Sequence, residues 1–338
     1  MRILQKLLFP FAGIYWIVTW VRNVCFDKGI LQQTSFGIPI ISVGNITVGG
    51  TGKTPHVLFI AQFLGSSLNI ATLSRGYGRK TRGFVCANAH TSVHEIGDEP
   101  FLIHRRLPNI IVAVDEKRVH GVQELQKIKP HLQAIVLDDA FQHRYIKPSL
   151  QIVLVDYNRP LWRDCVFPAG FLREGSYALR RADIVIVTKC PHTLSIAEQE
   201  QWKRKLRIRS QQQLFFTAIQ YGAVYQAQSG KTIDNHEFFK NKICMVSGVA
   251  QPNIIENFLQ LQGAQFTHCA FGDHHNYTAA DYETIRKQCN EHTKILTTEK
   301  DVQKLIEITK GEIPLYVLPI APQFLNAAEE EFLKELKS

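Results

Sequence analysis

The sequence predicts an α/β fold in which a large, mostly parallel sheet is flanked by helices. Short apolar runs rich in Val and Ile recur along the chain and end in polar or charged residues; they cover 38–43, 70–73, 110–114, 134–137, 152–155 and 184–187. Segments of helical spacing separate these runs, and a glycine-dense loop follows the first of them. Such runs are typical of parallel strands buried on both faces, in sheets that bind ligands at their carboxyl edge.

The composition excludes several classes of protein. The chain has 338 residues, of which 45% are apolar and 20% charged, and its formal net charge is +9. This is a globular composition rather than a disordered, collagenous or coiled-coil one. The basic excess is modest for a nucleic-acid binder of this length and is compatible with an anionic metabolite or an anionic membrane surface. We therefore expect no nucleic acid, and we infer no obligate protein partner.

The seven cysteines indicate a reducing compartment. Their number is odd, they lie far apart in the sequence, and none belongs to a C-x-x-C pair. This pattern argues against a disulfide framework and against a zinc ribbon.

The first predicted element is a membrane-associated helix over residues 1–25. Residues 7–21 are apolar apart from Thr19, and basic residues stand on both sides of them. A spanning helix needs about 20 apolar residues, whereas this shorter run contains Pro10 and the interfacial residues Trp16 and Trp20. The two tryptophans also replace a signal-peptide cleavage site, so we expect no cleavage. A helix lying in the membrane interface fits best, and a buried core helix is the alternative.

The glycine-dense loop after the first strand predicts a phosphate-binding site. It reads GNITVGGTGKTP and leads into a segment of helical spacing. Its glycines let backbone N–H groups face an anion, Lys53 supplies a positive charge for the β- and γ-phosphates, and Thr54 supplies a hydroxyl for Mg²⁺. Thr47 stands where the P-loop motif has its first glycine. The sequence thus predicts a P-loop NTPase-type fold, with nucleotide-binding residues Thr47, Gly49, Gly50, Thr51, Gly52, Lys53 and Thr54.

An acidic pair follows the fourth apolar run. Asp138 and Asp139 come directly after residues 134–137, at the carboxyl end of a predicted parallel strand. Carboxylates at this edge suit Mg²⁺, which prefers hard oxygen ligands, so we expect both to bind the metal. The last run leads to Thr188-Lys189-Cys190, where guanine-specific GTPases carry N-K-x-D, and the missing aspartate favours ATP.

Seven blocks, taken together and in order, resemble those of the tetraacyldisaccharide 4'-kinases, the lipid A 4'-kinases of Gram-negative bacteria. They are GNITVGGTGKTP, SRGYGR, GDEP, DEKR, LDDAFQHR, FPAGFLREG and GDHHNY. The resemblance extends from the N-terminal segment to about residue 300. One departure is Ala140 in DDAFQ, where the family pattern has glycine, so a negative φ is expected there.

The resemblance implies an activity and a location. ATP would phosphorylate the 4'-hydroxyl of a tetraacylated glucosamine disaccharide 1-phosphate, giving lipid IVA in lipopolysaccharide biosynthesis. The enzyme would act at the cytoplasmic face of the bacterial inner membrane, as a peripheral or monotopic protein. The N-terminal helix would then reach the bilayer that holds the acylated substrate, and basic residues near the site would meet its 1-phosphate.

The resemblance also suggests catalytic roles. Phosphoryl transfer needs charge neutralisation, here by Lys53 and Mg²⁺, and a group that accepts the proton of the attacking hydroxyl. We expect Asp98 in EIGDEP as the base, aided by His274, which follows Asp273 in GDHHNY; which of Asp98 and His274 takes the proton stays open. A helix cap for Asp98 and a surface position for His274 are the structural alternatives.

Further residues are expected to contact substrate or metal. Arg75 and Tyr77 follow the second apolar run, and Lys117 and Arg118 follow the third; a guanidinium there suits a phosphate, and a solvated basic loop is the alternative. Glu174 in FLREG is assigned a direct or supporting metal role, with a local ion pair to Arg173 as the alternative. The resemblance adds three substrate contacts, namely Gln142, His143 and Arg173.

The chain is expected to divide into the N-terminal helix (1–25), a kinase core (26–214), a β-ribbon linker (215–242) and a smaller C-terminal α/β lobe (243–338). Because the last lobe carries GDHHNY, we expect the active site to form between the lobes, with domain closure on ATP. Two other functions remain open. One is a soluble P-loop small-molecule kinase whose N-terminal helix is core; the other is a nucleotide-dependent switch or metal-insertion chaperone.

Overall fold

The computed structural model describes residues 3–289, 293–310 and 313–337. The chain forms two compact units, one of Met1–Ile219 with Pro322–Ser338 and the other of Gln220–Ala321. All seven cysteines lie in the described part and are free thiols, as expected from their spacing.

The described part of the first unit contains seven α-helices and nine strands. Its helices are α1 (Ile3–Asp27), α2 (Lys53–Gly65), α3 (Val93–Ile96), α4 (Asp98–Arg106), α5 (Arg118–Ile128), α6 (Ile196–Leu206) and, late in the chain, α11 (Glu329–Glu335), with 3₁₀ turns at Leu161–Arg163, Ser176–Arg181 and Leu325–Ala327. Its strands are β1 (Ile40–Asn45), β2 (Ile70–Ser74), β3 (Val85–Cys86), β4 (Ile111–Val114), β5 (Ala134–Asp138), β6 (Leu150–Asp156), β7 (Ile184–Thr188), β8 (Gln213–Tyr221) and β15 (Ile320–Phe324).

One nine-stranded sheet, in the order β15-β8-β7-β6-β1-β5-β2-β4-β3, organises this unit. Each pair from β4 through β2, β5, β1, β6 and β7 to β8 is parallel, and β3 runs antiparallel to β4. Every residue of β1, β2, β5 and β7 is buried, because helices cover both faces of the sheet. The expected mostly parallel sheet flanked by helices is confirmed, and its parallel strands share one carboxyl edge.

The N-terminal helix is long and one-sided. Its buried residues include Ala12 and Phe26, whereas one face exposes large apolar side chains, among them Phe9, Phe11, Ile14, Trp16, Ile17, Val18, Trp20 and Val21. Pro10 lies inside the helix. Among the described residues, no helix has the length and apolar character needed to cross a membrane.

The second unit is a smaller α/β structure. Its strands are β9 (Val224–Gln226), β10 (Thr232–Ile233), β11 (Lys242–Ser247), β12 (Gln265–Ala270), β13 (Thr293–Thr298) and β14 (Leu315–Leu318), and its helices are α7 (Asn235–Phe238), α8 (Pro252–Leu261), α9 (Ala279–Gln288) and α10 (Val302–Thr309). The sheet order is β10-β9-β14-β13-β11-β12, with β11 to β14 parallel and β9 and β10 antiparallel.

The compact units divide the chain differently from the expected domains. Residues 215–242 do not form a separate ribbon: β8 belongs to the larger sheet, whereas β9 and β10 belong to the smaller one. The chain end also leaves the smaller unit, since β15 joins the larger sheet and Phe332 of α11 is fully buried in the core of the first unit. Its partners there include Phe215 and Phe324, and this aromatic contact is what draws the C-terminal segment back.

Candidate functional site

The glycine-dense loop connects β1 to α2, as the sequence predicts. Gly49 and Gly52 have φ values of 96° and 84°, a left-handed region that favours glycine. At Gly49 a Cβ would lie 2.9 Å from Nη2 of Arg159, so the end of that arginine side chain would have to move. The helix begins at Lys53, which places its positive dipole end at the loop.

Donors from neighbouring strands hold the carbonyl groups of this loop. Lys189 Nζ donates to the Gly50 carbonyl and, at 2.9 Å, to Asp156 Oδ2. Thr188 Oγ1 donates to the Thr51 carbonyl at 2.9 Å. Because the C=O and N–H of a trans peptide unit point in opposite directions, these bonds turn the following N–H groups away from Lys189 and Thr188. A loop fixed in this way is preorganised for an anion.

His56, in the first turn of α2, is a further support that the sequence reading missed. Its Nδ1 lies 2.8 Å from the Gly52 carbonyl, and its Nε2 lies 3.1 Å from Thr217 Oγ1. Since a carbonyl can only accept, Nδ1 donates and the neutral ring accepts the Thr217 hydroxyl at Nε2. Burial lowers the pKa of His56 to about 4, which keeps the ring neutral at pH 7. The sequence signal for this role is the position of His56, four residues after Gly52, which puts the ring one helical turn from the loop.

The acidic pair after β5 lies beside the loop. Pairing of Val43 with Asp138 sets the end of β5 next to the end of β1. Asp139 Oδ1 lies 3.8 Å from Lys53 Nζ and 2.8 Å from Arg173 Nη1. Burial works against ionisation of Asp139, but the charges of Lys53 and Arg173 outweigh it and lower its pKa. The left-handed φ of 49° falls on Asp139 rather than on its neighbour Ala140.

Asp138 has the surroundings of a cation ligand. The residue is buried, and its Oδ1 has no hydrogen-bond partner. Burial and then the charge of Asp139 raise its pKa to about 7, whereas Lys53 and Arg118 act in the opposite direction. Among the described residues no three His, Cys, Asp or Glu side chains converge on one point. Mg²⁺ uses one or two carboxylates and completes its shell with phosphate oxygens and water, so the Asp138–Asp139 pair is chemically suited to it.

The expected basic residues form a basic region that follows the ends of β2 and β4. Arg118 is buried at the start of α5, and burial lowers its pKa to about 10, with Asp139 and Asp138 acting in the opposite direction. Burial, followed by the charges of Arg118, Arg22 and Arg75, lowers the pKa of His143 to about 4. Arg75 is exposed, and so is Lys117, whose backbone N–H donates to Asp115 Oδ1 at 2.8 Å. Such a region suits an anionic group.

Glu174 lies in an ion-pair network rather than in a cation site. Its carboxylate accepts two hydrogen bonds of 2.9 Å from Arg181, one of 2.8 Å from Asn23 and one of 3.1 Å from Gln142. These donors occupy both carboxylate oxygens and oppose direct ligation of a metal by Glu174, whereas the supporting metal role expected for it stays a prediction. Its sequence neighbour Arg173 turns instead to Asp139 and also donates to Gln142 Oε1 at 3.3 Å.

Asp98 begins α4, where the positive end of the helix dipole favours an anion. It is 9% exposed, and the charge of the following residue, Glu99, contributes to the raised pKa of Asp138. Gly97 has a φ of 90°, and a Cβ there would lie 2.8 Å from the carbonyl oxygen of Tyr77. The loop that carries Arg75 and Tyr77 therefore packs against the start of α4.

Asp273 and His274 lie in the second unit, between β12 and α9. Lys300 Nζ is 2.7 Å from Asp273 Oδ1, and His274 Nε2 is 4.0 Å from the same oxygen. Burial raises the pKa of Asp273, but Lys300 and His274 reverse this and leave it lowered. The neighbouring His275 stacks on Phe271 and lies 3.0 Å from Asp281 Oδ2, contacts that support the loop.

The structure brings most of the expected residues to the carboxyl edge of the larger sheet. The nucleotide loop, Asp138, Asp139, Arg75, Arg118 and Lys117 all follow the ends of β1, β5, β2 and β4. The sequence reading missed Asp156 and Lys189, which brace the loop, and Glu99 beside Asp138. The segment of Lys189 indicated only that the aspartate of guanine-specific GTPases is missing. The supporting role of Lys189 depends on its contact with Gly50, 139 residues away in the sequence.

Comparison with known proteins gives a consistent result. The family model described as Tetraacyldisaccharide-1-P 4'-kinase matches residues 4–337. The protein named tetraacyldisaccharide 4'-kinase in Phocaeicola vulgatus is 42% identical, over 97% of this chain and 93% of the relative. The protein of the same name in Flavobacterium johnsoniae is also 42% identical, over 96% of this chain and 94% of the relative. A crystal structure of LpxK from Aquifex aeolicus in complex with ATP has a TM-score of 0.78 and 28% identity, and covers 99% of this chain and 98% of that one. This chain belongs to the tetraacyldisaccharide-1-phosphate 4'-kinase family.

Proposed function

We propose that the protein transfers the γ-phosphoryl group of ATP to the 4'-hydroxyl of a tetraacylated glucosamine disaccharide 1-phosphate, giving lipid IVA. The observation that carries the proposal is one arrangement in the first unit. The nucleotide loop and the Asp138–Asp139 pair share the sheet edge with a basic region, and the apolar helix α1 is bonded to the same loops. A soluble kinase would leave the exposed apolar face of α1 without a purpose.

In the proposed reaction the protein mainly positions groups and neutralises charge. Backbone N–H groups of residues 47–54 and Lys53 bind the phosphates of ATP. Thr54, Asp138 and Asp139 would hold Mg²⁺, which would supply positive charge to offset that of the phosphates. Asp98 accepts the proton of the attacking hydroxyl, aided by His274. The basic region formed by Arg75, Lys117 and Arg118 takes the anionic part of the lipid, with Tyr77, Gln142, His143 and Arg173 as further contacts.

The proposed location is the cytoplasmic face of the bacterial inner membrane, held by α1. The buried face of α1 is fixed by bonds from Tyr15 Oη to the Arg173 carbonyl at 3.0 Å and from Arg22 to the Gln142 carbonyl at 3.0 Å. The exposed apolar surface continues from α1 to Phe167, which packs edge-on against Tyr15, and to Phe171, whose carbonyl accepts from Val48 in the nucleotide loop. An acylated substrate could then stay in the membrane while its headgroup reaches the site.

The test is phosphoryl transfer from [γ-³²P]ATP to detergent-dispersed tetraacyldisaccharide 1-phosphate with Mg²⁺. We expect labelled bis-phosphorylated lipid from the wild type and none from Lys53→Ala. Phosphate release without labelled lipid would favour the switch or metal-insertion chaperone. Labelling of a soluble sugar in place of the lipid would favour a soluble small-molecule kinase.

The membrane proposal has its own test. Flotation with vesicles of phosphatidylethanolamine and phosphatidylglycerol should recover the wild type, and the triple variant Phe11→Ser/Ile14→Ser/Val18→Ser should float poorly. The three side chains are 60%, 63% and 60% exposed, so their removal should not disturb the core. Leu261→Ser, at an 85% exposed position on α8, is the matched control. Equal flotation of all proteins would remove the role of α1.

A further inference from the structure

A turn in the second unit is held in place by a hydrogen bond from the residue that follows β11. It comprises residues 299–301, between β13 and α10. The Asp301 side chain is buried, and its Oδ2 accepts hydrogen bonds from the Gly248 N–H at 3.0 Å and from Thr298 Oγ1 at 2.7 Å. Two bonds to one carboxylate oxygen leave the turn little freedom, so the position of Lys300 is defined by its neighbour.

From this turn Lys300 reaches the loop that carries the expected catalytic pair. Its Nζ lies 2.7 Å from Asp273 Oδ1, the oxygen that is 4.0 Å from His274 Nε2. The side chains of Lys300 and Asp273 are 20% and 32% exposed, so the contact is only partly open to solvent. One carboxylate oxygen therefore faces an ammonium group and an imidazole together.

The same loop needs external support. His274 has a φ of 58°, in the left-handed region, which costs a residue with a Cβ about 1 kcal/mol. A second lysine of this segment, Lys304, donates to the His275 carbonyl at 3.1 Å. Lysines from the turn and from α10 thus hold the loop on both sides of His274.

We infer that Lys300 is a positioning residue that fixes the Asp273 carboxylate, and through it His274, for phosphoryl transfer. The inference rests on the proposed function, since it gives Lys300 a part in that reaction. Lys300 keeps Asp273 ionised and holds its Oδ1 in one place, so that the carboxylate orients the imidazole. Without the ammonium group the carboxylate can rotate, and a displacement of about 1 Å at a reacting group can cost about 100-fold in rate.

The experiment compares Lys300→Met, Lys300→Arg and the control Lys287→Met in the ³²P lipid assay. Lys287 is an exposed lysine on α9 in the same unit. We expect Lys300→Met to lower kcat by about 10- to 100-fold with the KM for ATP within about twofold of wild type. Lys300→Arg should recover most of kcat, because the guanidinium keeps the charge and the hydrogen bond. Lys287→Met should behave as wild type, and the Tm of all variants should stay close to the wild-type value.

A second comparison separates positioning from folding. In an Asp273→Asn background, Lys300→Met should add little further loss, because its partner has already been changed. If the wild type labels the lipid and Lys300→Met has the same kcat, the inference is overturned while the proposed function stands. A lowered Tm with no rescue by Lys300→Arg would assign Lys300 a structural role, and a raised KM for ATP would make it a nucleotide contact. Absence of lipid labelling by the wild type would remove the proposed function together with the inference.

Discussion

Two adjacent aspartates at the end of β5 behave differently because different charges face them. Asp139 has Arg173 at 2.8 Å and Lys53 at 3.8 Å, and its pKa is lowered. Asp138 has an oxygen without a hydrogen-bond partner, and its pKa is raised to about 7. The sequence predicted the pair as a unit, but it could not predict this difference, which depends on Arg173 and Lys53, 34 and 86 positions away from Asp139 along the chain.

Asp98 is the residue whose proposed role can be isolated most directly. Asp98→Asn removes the base but keeps the size of the side chain, so kcat should fall by about 10²- to 10⁴-fold. The KM for ATP should change little, because Asp98 lies on α4 and not in the nucleotide loop. Steady-state kinetics with varied ATP separate the two parameters. Unchanged turnover would remove Asp98 from the base role.

His56 makes a pH-dependent contribution to stability. Its pKa is about 4 in the folded chain, against 6.5 for an unburied histidine, so the unfolded chain binds the proton more readily. The free energy of unfolding should therefore fall as the pH decreases from about 6.5 to about 4, by up to about 3 kcal/mol. Above pH 6.5 both states are neutral at this residue, and the effect disappears.

The measurement is chemical denaturation of the wild type and His56→Asn between pH 4.5 and pH 8. Asparagine retains a donor for the Gly52 carbonyl but does not titrate, so the variant should show a flatter pH dependence. His192→Asn is the control, because this imidazole is exposed in the folded chain. Parallel pH curves for wild type and His56→Asn would contradict the prediction.

At the scale of elements, apolar runs identified the strands but not their neighbours. Predicted run 134–137 became β5, Ala134–Asp138, because a strand buried on both faces must be continuously apolar. The order of strands in the sheet was not predictable, since it depends on pairings such as Ile41 with Leu150 across 109 positions. β15 was also missed: its sequence, IAPQF, contains a proline and polar residues, as edge strands often do.

The attachment of α1 to the first unit depends on a buried charge. Glu174 is 3% exposed on its side chain and pairs with Arg181, while Asn23 of α1 donates to the same carboxylate. Glu174→Ala should lower the stability of this unit by about 3–5 kcal/mol, because it leaves the Arg181 guanidinium buried and unpaired. Replacing both partners, as Glu174→Leu/Arg181→Met, should cost much less.

Denaturant unfolding of these variants and Mg²⁺ titration distinguish the two roles considered for Glu174. Glu174→Gln should be only partly destabilised, so its turnover can be measured. A lower stability of this variant together with an unchanged Mg²⁺ dependence of turnover would support the ion-pair role. A large increase in the Mg²⁺ concentration needed, with normal stability, would restore the metal role that the sequence suggested.

At the scale of the whole molecule, the residues of the proposed reaction belong to two units. The nucleotide loop, Asp98, Asp138 and Asp139 are in Met1–Ile219, whereas Asp273 and His274 are in Gln220–Ala321. The blocks of sequence indicated which residues act in one reaction, because their joint occurrence resembles a single family. The sequence did not reveal that the last residues, Pro322–Ser338, return to the first unit, since that depends on the packing of Phe332 against Phe215 and Phe324.

This division of residues predicts that nucleotide binding and turnover can be separated by mutation. His274→Ala leaves every expected nucleotide contact in place, so the affinity for a fluorescent ATP analogue should stay within about twofold of wild type, while kcat for lipid phosphorylation falls by about 10²- to 10⁴-fold. Lys53→Ala, by contrast, should weaken nucleotide binding as well as turnover, because it removes a charge from the loop itself. His275→Ala controls for loop damage, since that ring supports the loop through Phe271 and Asp281 and should affect Tm more than His274→Ala does. If His274→Ala lowered nucleotide affinity as strongly as Lys53→Ala, His274 would act in binding ATP rather than in the transfer step.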